Sequence, residues 1–347
     1  MHASALFQGR ALETSRLQSP PGQLFSPLVQ RPSSKSESDT MSSEPSSPTK
    51  LIHHDMYKGI DPARSKLSAK NKRVFITGGG SAIGRAITKA FATAKAKEIA
   101  ITGRTEAALL ETKQLIEAES EGVTITPIVA DITDEKAIGD AFVSFGTVDV
   151  LVNNAGFMPD LCPIKDSGLA EWWRGFEINV RGSFIVTQAF LKVASPRATL
   201  VNITAGLVHM NDPLPGYSSY VSSKTASAKF FQMLQQEHPA LRVINVHPGV
   251  VQSAMLEKNA QMEAQDDSSL PASFIVWACS PEADFLKGKL VWANWDVEEL
   301  KARQEEIRET DFLTLGLSGW PSESALTQGE QSRSKGIFAK IKRFFCL

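Results

Sequence analysis

The chain has 347 residues, 42% of them hydrophobic, and its 37 Lys and Arg against 38 Asp and Glu leave a formal charge of −1. That length can bury one large core or two modest ones, and the balanced charge gives no global pull toward nucleic acid. The three cysteines, Cys162, Cys279 and Cys346, have no metal-ligand spacing and cannot form a disulfide framework, so no metal and a reducing compartment, the cytoplasm, are expected. No apolar run reaches the roughly 18 residues of a spanning helix, which predicts a soluble protein.

The first fifty residues hold twelve Ser and six Pro without a sustained apolar period, too little buried surface to offset ordering entropy. Residues 1–70 therefore read as a disordered extension and linker, in which His53 and His54, lacking ligand-type neighbours, are solvated. From Arg73 onward, strands and helices alternate. Apolar runs at 73–77, 98–102, 123–129, 148–152, 199–203, 243–246 and 290–292 make seven strands. Helical periods fill the intervals 106–118, 134–145, 169–193 and 218–236. This predicts a single α/β domain over 71–315, a Rossmann-type doubly wound parallel sheet whose ligands sit beyond the strands' carboxyl ends. Residues 316–347 form a tail.

The first strand stops at Thr77-Gly78-Gly79-Gly80-Ser81-Ala82-Ile83-Gly84. Ile83, Ala86, Ile87, Ala90 and Phe91 then recur at helical spacing. Glycine lets a ligand approach the backbone, and the free N–H groups of a helix start attract an anion, so a pyrophosphate fits this loop. Its glycine spacing resembles that of the short-chain dehydrogenase/reductases. The resemblance implies cofactor contacts from Gly78, Ser81, Ile83 and Gly84. Ala82 stands where the family's loop has its second glycine.

The second strand ends in Thr102-Gly103-Arg104, without the carboxylate that would take the 2′-hydroxyl of NAD. A guanidinium there pairs with a 2′-phosphate, so NADP (NADPH) is favoured over NAD. Ala130-Asp131-Ile132 resembles the family's adenine-contacting turn, although Asp131 equally suits an N-terminal helix cap. Asn153-Asn154-Ala155-Gly156 resembles the family's Asn-Asn-Ala-Gly turn, with Asn153, Ala155 and Gly156 facing the nicotinamide-side ribose while Asn amides tie strands together. Residues 172–182 resemble the helix carrying the family's catalytic Asn. Asn179 would hold a water of the proton relay, and Arg181 would approach the cofactor or lie on the surface.

Tyr220-Val-Ser-Ser-Lys224 spaces a phenol and an ammonium at i and i+4, one helix face. An ordinary tyrosine, with a pKa of about 10, needs a nearby cation for acid–base work at neutral pH. Of the three tyrosines only Tyr220 has Lys at i+4. Pro248-Gly249-Val250-Val251-Gln252-Ser253 resembles the turn closing over nicotinamide, so Pro248, Val251 and Ser253 join the cofactor set. His247 in that turn lacks a paired nucleophile and reads as structural. Residues 254–270 suit a substrate loop.

Five motifs in family order identify the chain as resembling a short-chain dehydrogenase/reductase. Residues 285–300 resemble members from filamentous fungi, which often act on ketones and alcohols of secondary metabolites. The implied activity is hydride transfer between NADPH and a small-molecule carbonyl or alcohol, with Tyr220 and Lys224 as acid/base pair. Association into a homodimer or tetramer through the helices ending near Val193 and Gln236 is also implied. The family's catalytic serine, however, falls on Ala205 in Val201-Asn-Ile-Thr204-Ala205-Gly206 or, with the match shifted by one residue, on Thr204, which is the favoured partial substitute. A weakly catalytic NADP-binding protein is the alternative. In the tail, Ile337, Phe338, Ile341, Phe344 and Phe345 face away from Lys335, Lys340, Lys342 and Arg343, a stripe suited to weak membrane-surface contact or to docking on protein.

Overall fold

The computed structural model describes residues 47–211, 214–258 and 262–317, so the amphipathic stripe of the tail lies outside the described residues. In chain order the elements are β1 (Arg73–Thr77), α1 (Ala82–Thr93), β2 (Glu98–Gly103), α2 (Glu106–Glu119), β3 (Thr124–Val129), α3 (Glu135–Phe145) and β4 (Val148–Asn153). The second half comprises α4 (Leu169–Phe176), α5 (Ser183–Leu191), β5 (Ala194–Ile203), α6 (Ser218–Glu237), β6 (Arg242–His247), α7 (Ala254–Glu257), α8 (Ser269–Ala278), β7 (Leu290–Trp292), α9 (Val297–Ala302) and α10 (Gln304–Glu309).

All seven strands form one parallel sheet in the order β3-β2-β1-β4-β5-β6-β7. This is the expected doubly wound Rossmann-type sheet. Alternate residues of one strand feed opposite cores. Val74 and Ile76 meet Ile87 and Phe91 of α1 and the apolar α8, whereas Phe75 meets α3, stacking on Phe142 at 4.0 Å. Covering both faces explains why the strands read as continuous apolar runs. The strand order reverses between β1 and β4, and the carboxyl ends flanking that point carry the motifs.

Two expectations need correction. The helix expected over 169–193 is divided, because a π-helical stretch, Glu177–Gly182, separates α4 from α5. The wider turn carries Asn179, whose side chain is committed to residues outside the helix, and Gly182, where a Cβ would press on Ile132 at 2.7 Å. Nor do His53 and His54 lack partners, although His54 is exposed. Residues 47–70 run back over the domain, with Ile60 and Leu67 in its core, and the two histidines bond Asp296 and Asp266. Partners more than two hundred residues away leave no local trace in composition. Among the described residues no helix is long and apolar enough to cross a membrane.

Candidate active site

The loop after β1 is shaped by what its glycines lack. Gly78 has φ +70°, and a Cβ there would lie 2.9 Å from the Asn154 amide nitrogen, while a Cβ on Gly84 would overlap the Gly78 carbonyl oxygen. Ser81 takes the extended N-cap conformation of α1, its carbonyl accepting from the Arg85 N–H while its side chain makes no cap bond, and the residue is exposed at the helix start. Ile83 anchors the same turn in the core beneath α1. Ala82 has φ +42°, the left-handed region that disfavours a Cβ by about 1–2 kcal/mol. Ala82→Gly removes that strain and adds about 0.4–1 kcal/mol of unfolded-chain entropy, so a net gain of up to about 1 kcal/mol is expected as a higher urea midpoint.

Arg104 is exposed at the end of β2. Asp131, beyond β3, is not a helix cap: Asp134 caps α3 by accepting from the Ala137 N–H, and Asp131 accepts from the Thr133 N–H and hydroxyl. Burial opposes ionisation of Asp131, but those two hydrogen bonds and the charges of Arg104 and Arg174 hold its carboxyl below the usual range. Arg181 is half exposed and donates to the Thr133 carbonyl at 3.1 Å, bracing the Asp131 turn.

At the end of β4 the Asn-Asn-Ala-Gly turn is clamped to β1. The Thr77 hydroxyl accepts from the N–H groups of Asn154 and Ala155, and the Asn154 amide donates to the Thr77 carbonyl at 2.9 Å. Asn153 opens a buried amide ladder across three strands, donating to Asn202 at 3.0 Å, which donates to Asn245 at 2.8 Å. Asn202 and Asn245 carried no motif in the sequence, since only strand pairing brings them beside Asn153. The Asn153 Oδ1 is buried without a partner.

Gly156 is where two of the candidate catalytic residues meet. A Cβ on it would lie 3.1 Å from Lys224 Nζ and 3.4 Å from Asn179 Oδ1, so both side chains close on the space its missing side chain leaves. Asn179 accepts from the Phe157 N–H and donates to the Phe157 carbonyl, both at 2.8 Å, and to the Ser223 hydroxyl at 3.0 Å. Lys224 Nζ donates to the Ile203 carbonyl at 2.8 Å. Burial pulls this ammonium down to about 8 and pushes the Tyr220 phenol up to about 12, with Tyr217 adding to the latter. Both shifts have burial as their first cause, which disfavours the charged form of each group.

The wall beside Tyr220 is apolar. Ala205, Val208 and Leu290 pack together with Tyr220, Trp292 and Leu315. Ala205, the position matched to the family serine, thus contributes a methyl group to the cluster against which Tyr220 packs. Thr204 is buried, and its hydroxyl has no hydrogen-bond partner. His247 packs edge-on against Trp292 at 4.6 Å, and burial, aided by His209, pushes it down to about 3, so it is neutral and structural. Trp292 donates to His209 at 2.9 Å, a contact no motif announced. On the other side, a cleft of about 170 Å³ lined by Leu161, Cys162, Trp172, Ser219 and Tyr220 opens beside the phenol.

After β6 the turn places Pro248 and Val251 in buried positions, and Val251 pairs with Asp266. The Ser253 hydroxyl caps α7, accepting from the Leu256 N–H at 3.2 Å. Of the candidate substrate loop, residues 259–261 lie outside the described residues. Among the described residues no cluster of three or more His, Cys, Asp or Glu could hold a metal ion.

Comparison with known proteins shows the family. A family model described as short chain dehydrogenase matches residues 72–264. The short chain dehydrogenase citE of Monascus ruber is 33% identical over 279 residues, 76% of this chain and 94% of the relative. The short chain dehydrogenase/reductase AacuD of Aspergillus aculeatus is 32% identical, covering 78% of this chain and 96% of the relative. Among solved structures, a short chain dehydrogenase from Burkholderia cenocepacia in complex with NADP is 26% identical with a TM-score of 0.58, over 66% of this chain and 99% of that one. A blue fluorescent protein from a metagenomic library in complex with NADPH is 26% identical with a TM-score of 0.59, over 65% and 97%.

Proposed function

The chain belongs to the short-chain dehydrogenase family, and from that premise we propose an NADPH-dependent reductase that interconverts a ketone or aldehyde with its alcohol. The observation carrying this reading is the closure of Lys224 and Asn179 on Gly156, one helical turn from Tyr220, at the carboxyl edge of the sheet. A dinucleotide fits the residues present: Ser81 offers an exposed hydroxyl at a helix start, and Asn153 has an unspent acceptor at the end of β4. When bound, the nicotinamide supplies or takes up hydride.

The phenol of Tyr220, kept protonated at neutral pH by burial, gives its proton to the substrate oxygen. Lys224 holds the ribose side and reprotonates the tyrosine. Asn179 has spent its amide hydrogens, so it would hold the relay's water with the remaining lone pair of Oδ1. Thr204 orients the oxygen in place of the absent serine. Arg104 takes the 2′-phosphate, with Asp131 and Arg181 shaping the adenine side, and Ile83, Ala155, Pro248, Val251 and Ser253 line the cofactor. The apolar wall from Ala205 to Trp292 and the fungal relatives favour a hydrophobic carbonyl substrate of secondary metabolism. A dimer or tetramer belongs to the same proposal, since Phe184 of α5 and Met233 of α6 are exposed; a monomer mass by light scattering would remove it.

The test is NADPH oxidation against a panel of ketones, aldehydes and quinones, with NADH in parallel. Turnover should prefer NADPH by about tenfold or more, and Arg104→Ala should erase the preference by removing a charge-assisted phosphate contact. NADPH binding without turnover on any carbonyl would overturn the proposal.

A further inference from the structure

The turn after β6 has no strand to lean on. Pairing with β7 stops at His247–Trp292, Pro248 has no N–H, and Gly249 has no side chain. Val250 instead sends both its backbone groups to one place. Its N–H donates to Asp266 Oδ2 at 2.6 Å, and its carbonyl accepts from the N–H groups of Gln265 at 2.9 Å and Asp266 at 3.1 Å. Gly249, at φ +84°, makes this possible, because a Cβ there would overlap that carboxylate oxygen.

Asp266 is in turn held from behind. Its Oδ1 accepts from the Asn294 amide at 2.8 Å and from His54 Nδ1 at 2.7 Å, and its side chain is only 3% exposed. A carboxylate offers no hydrogen, so His54 carries its proton on Nδ1. His54 is fixed in place by its own carbonyl, which accepts from the Asp267 N–H at 2.7 Å. Its neighbour His53 is locked to Asn294 through both backbone groups, bonds Asp296 at 2.9 Å and stacks on Tyr57 at 3.5 Å. His54 and Asn294 thus converge on one buried carboxylate from opposite ends of the chain.

We propose that Asp266 is a positioning residue for the cofactor's nicotinamide half, and that His54, brought in by the N-terminal segment 49–57, holds Asp266 in register. The inference rests on the reading of the 248–251 turn as the one that covers the nicotinamide. Both Asp266 and His54 lie outside the 72–264 stretch that matches the family model. The segment ahead of the Rossmann fold is then part of the active site rather than packing alone.

Calorimetric titration of the full-length chain with NADPH and with adenosine 2′,5′-bisphosphate, which lacks the nicotinamide half, separates the possibilities. Asp266→Ala leaves the Val250 N–H unpaired and should weaken NADPH by about tenfold or more. The bisphosphate should bind unchanged, which also reports an intact fold. His54, 58% exposed at its side chain, matters less: His54→Ala should cost about threefold in NADPH affinity, and His54→Asn, which returns an N–H near the Nδ1 position, should restore it. Equal weakening of both nucleotides, or of neither, would overturn the inference. A wild-type chain that binds neither would instead overturn the NADPH reading beneath it.

Discussion

Tyr220→Phe is expected to lower kcat for carbonyl reduction by about a thousandfold, within the range that a positioned acid contributes, while NADPH affinity stays within about twofold. The change removes one oxygen and leaves the ring in the wall with Ala205, Val208 and Trp292, so packing is preserved. Its pH signature follows from burial, which pushes the phenol up to about 12. Below that value the protonated form dominates, which serves reduction. Alcohol oxidation needs the phenolate, whose fraction grows about tenfold per pH unit below the pKa. Oxidation should therefore climb steeply between about pH 6 and 7 while reduction does not, since Lys224, at about 8, retains its proton there. Steady-state rates in both directions across that window check the sign. Reduction that rises in parallel with oxidation would remove Tyr220 as the acid.

The second large effect concerns the hydroxyl missing beside Tyr220. Ala205→Ser should raise kcat, by up to about a hundredfold, because one donor aimed at a developing oxyanion has that order of effect. Thr204→Val tests the present arrangement. The Thr204 hydroxyl is enclosed and unpartnered, a burden of about 1–3 kcal/mol, so the isosteric valine should stabilise the fold. If Thr204 serves the reaction, the same change lowers kcat by about tenfold, the opposite direction to stability. Ala205→Ser in the Thr204→Val background should recover the lost turnover. Thermal melts and kcat on the same preparations decide it: a stabilised Thr204→Val enzyme with unchanged kcat shows that the hydroxyl is idle.

Much of the fold was legible because its signals are local. Most strands are apolar runs, several of them cut off by glycine, asparagine or proline, and each phosphate or nicotinamide motif sits within a few residues of a strand end. Tyr220 and Lys224 share a helix face through a spacing of four that any α-helix enforces. The π-helical stretch at Asn179 was not legible, since its apolar period differs too little from α over six residues. The raised Tyr220 pKa was also hidden, because it depends on which groups exclude water around the ring.

The order of βα units, the NADP-favouring end of β2 and the alanine at the serine position are properties of the sequence by itself. Each is carried by residues that are neighbours in the chain. The Asn153–Asn202–Asn245 ladder, the Trp292–His209 contact and the anchoring of the 248–251 turn by Asp266, Asn294 and His54 were decided by the tertiary structure. Their members lie tens to hundreds of residues apart, and buried amides and carboxylates acquire partners only when the sheet closes and water is excluded.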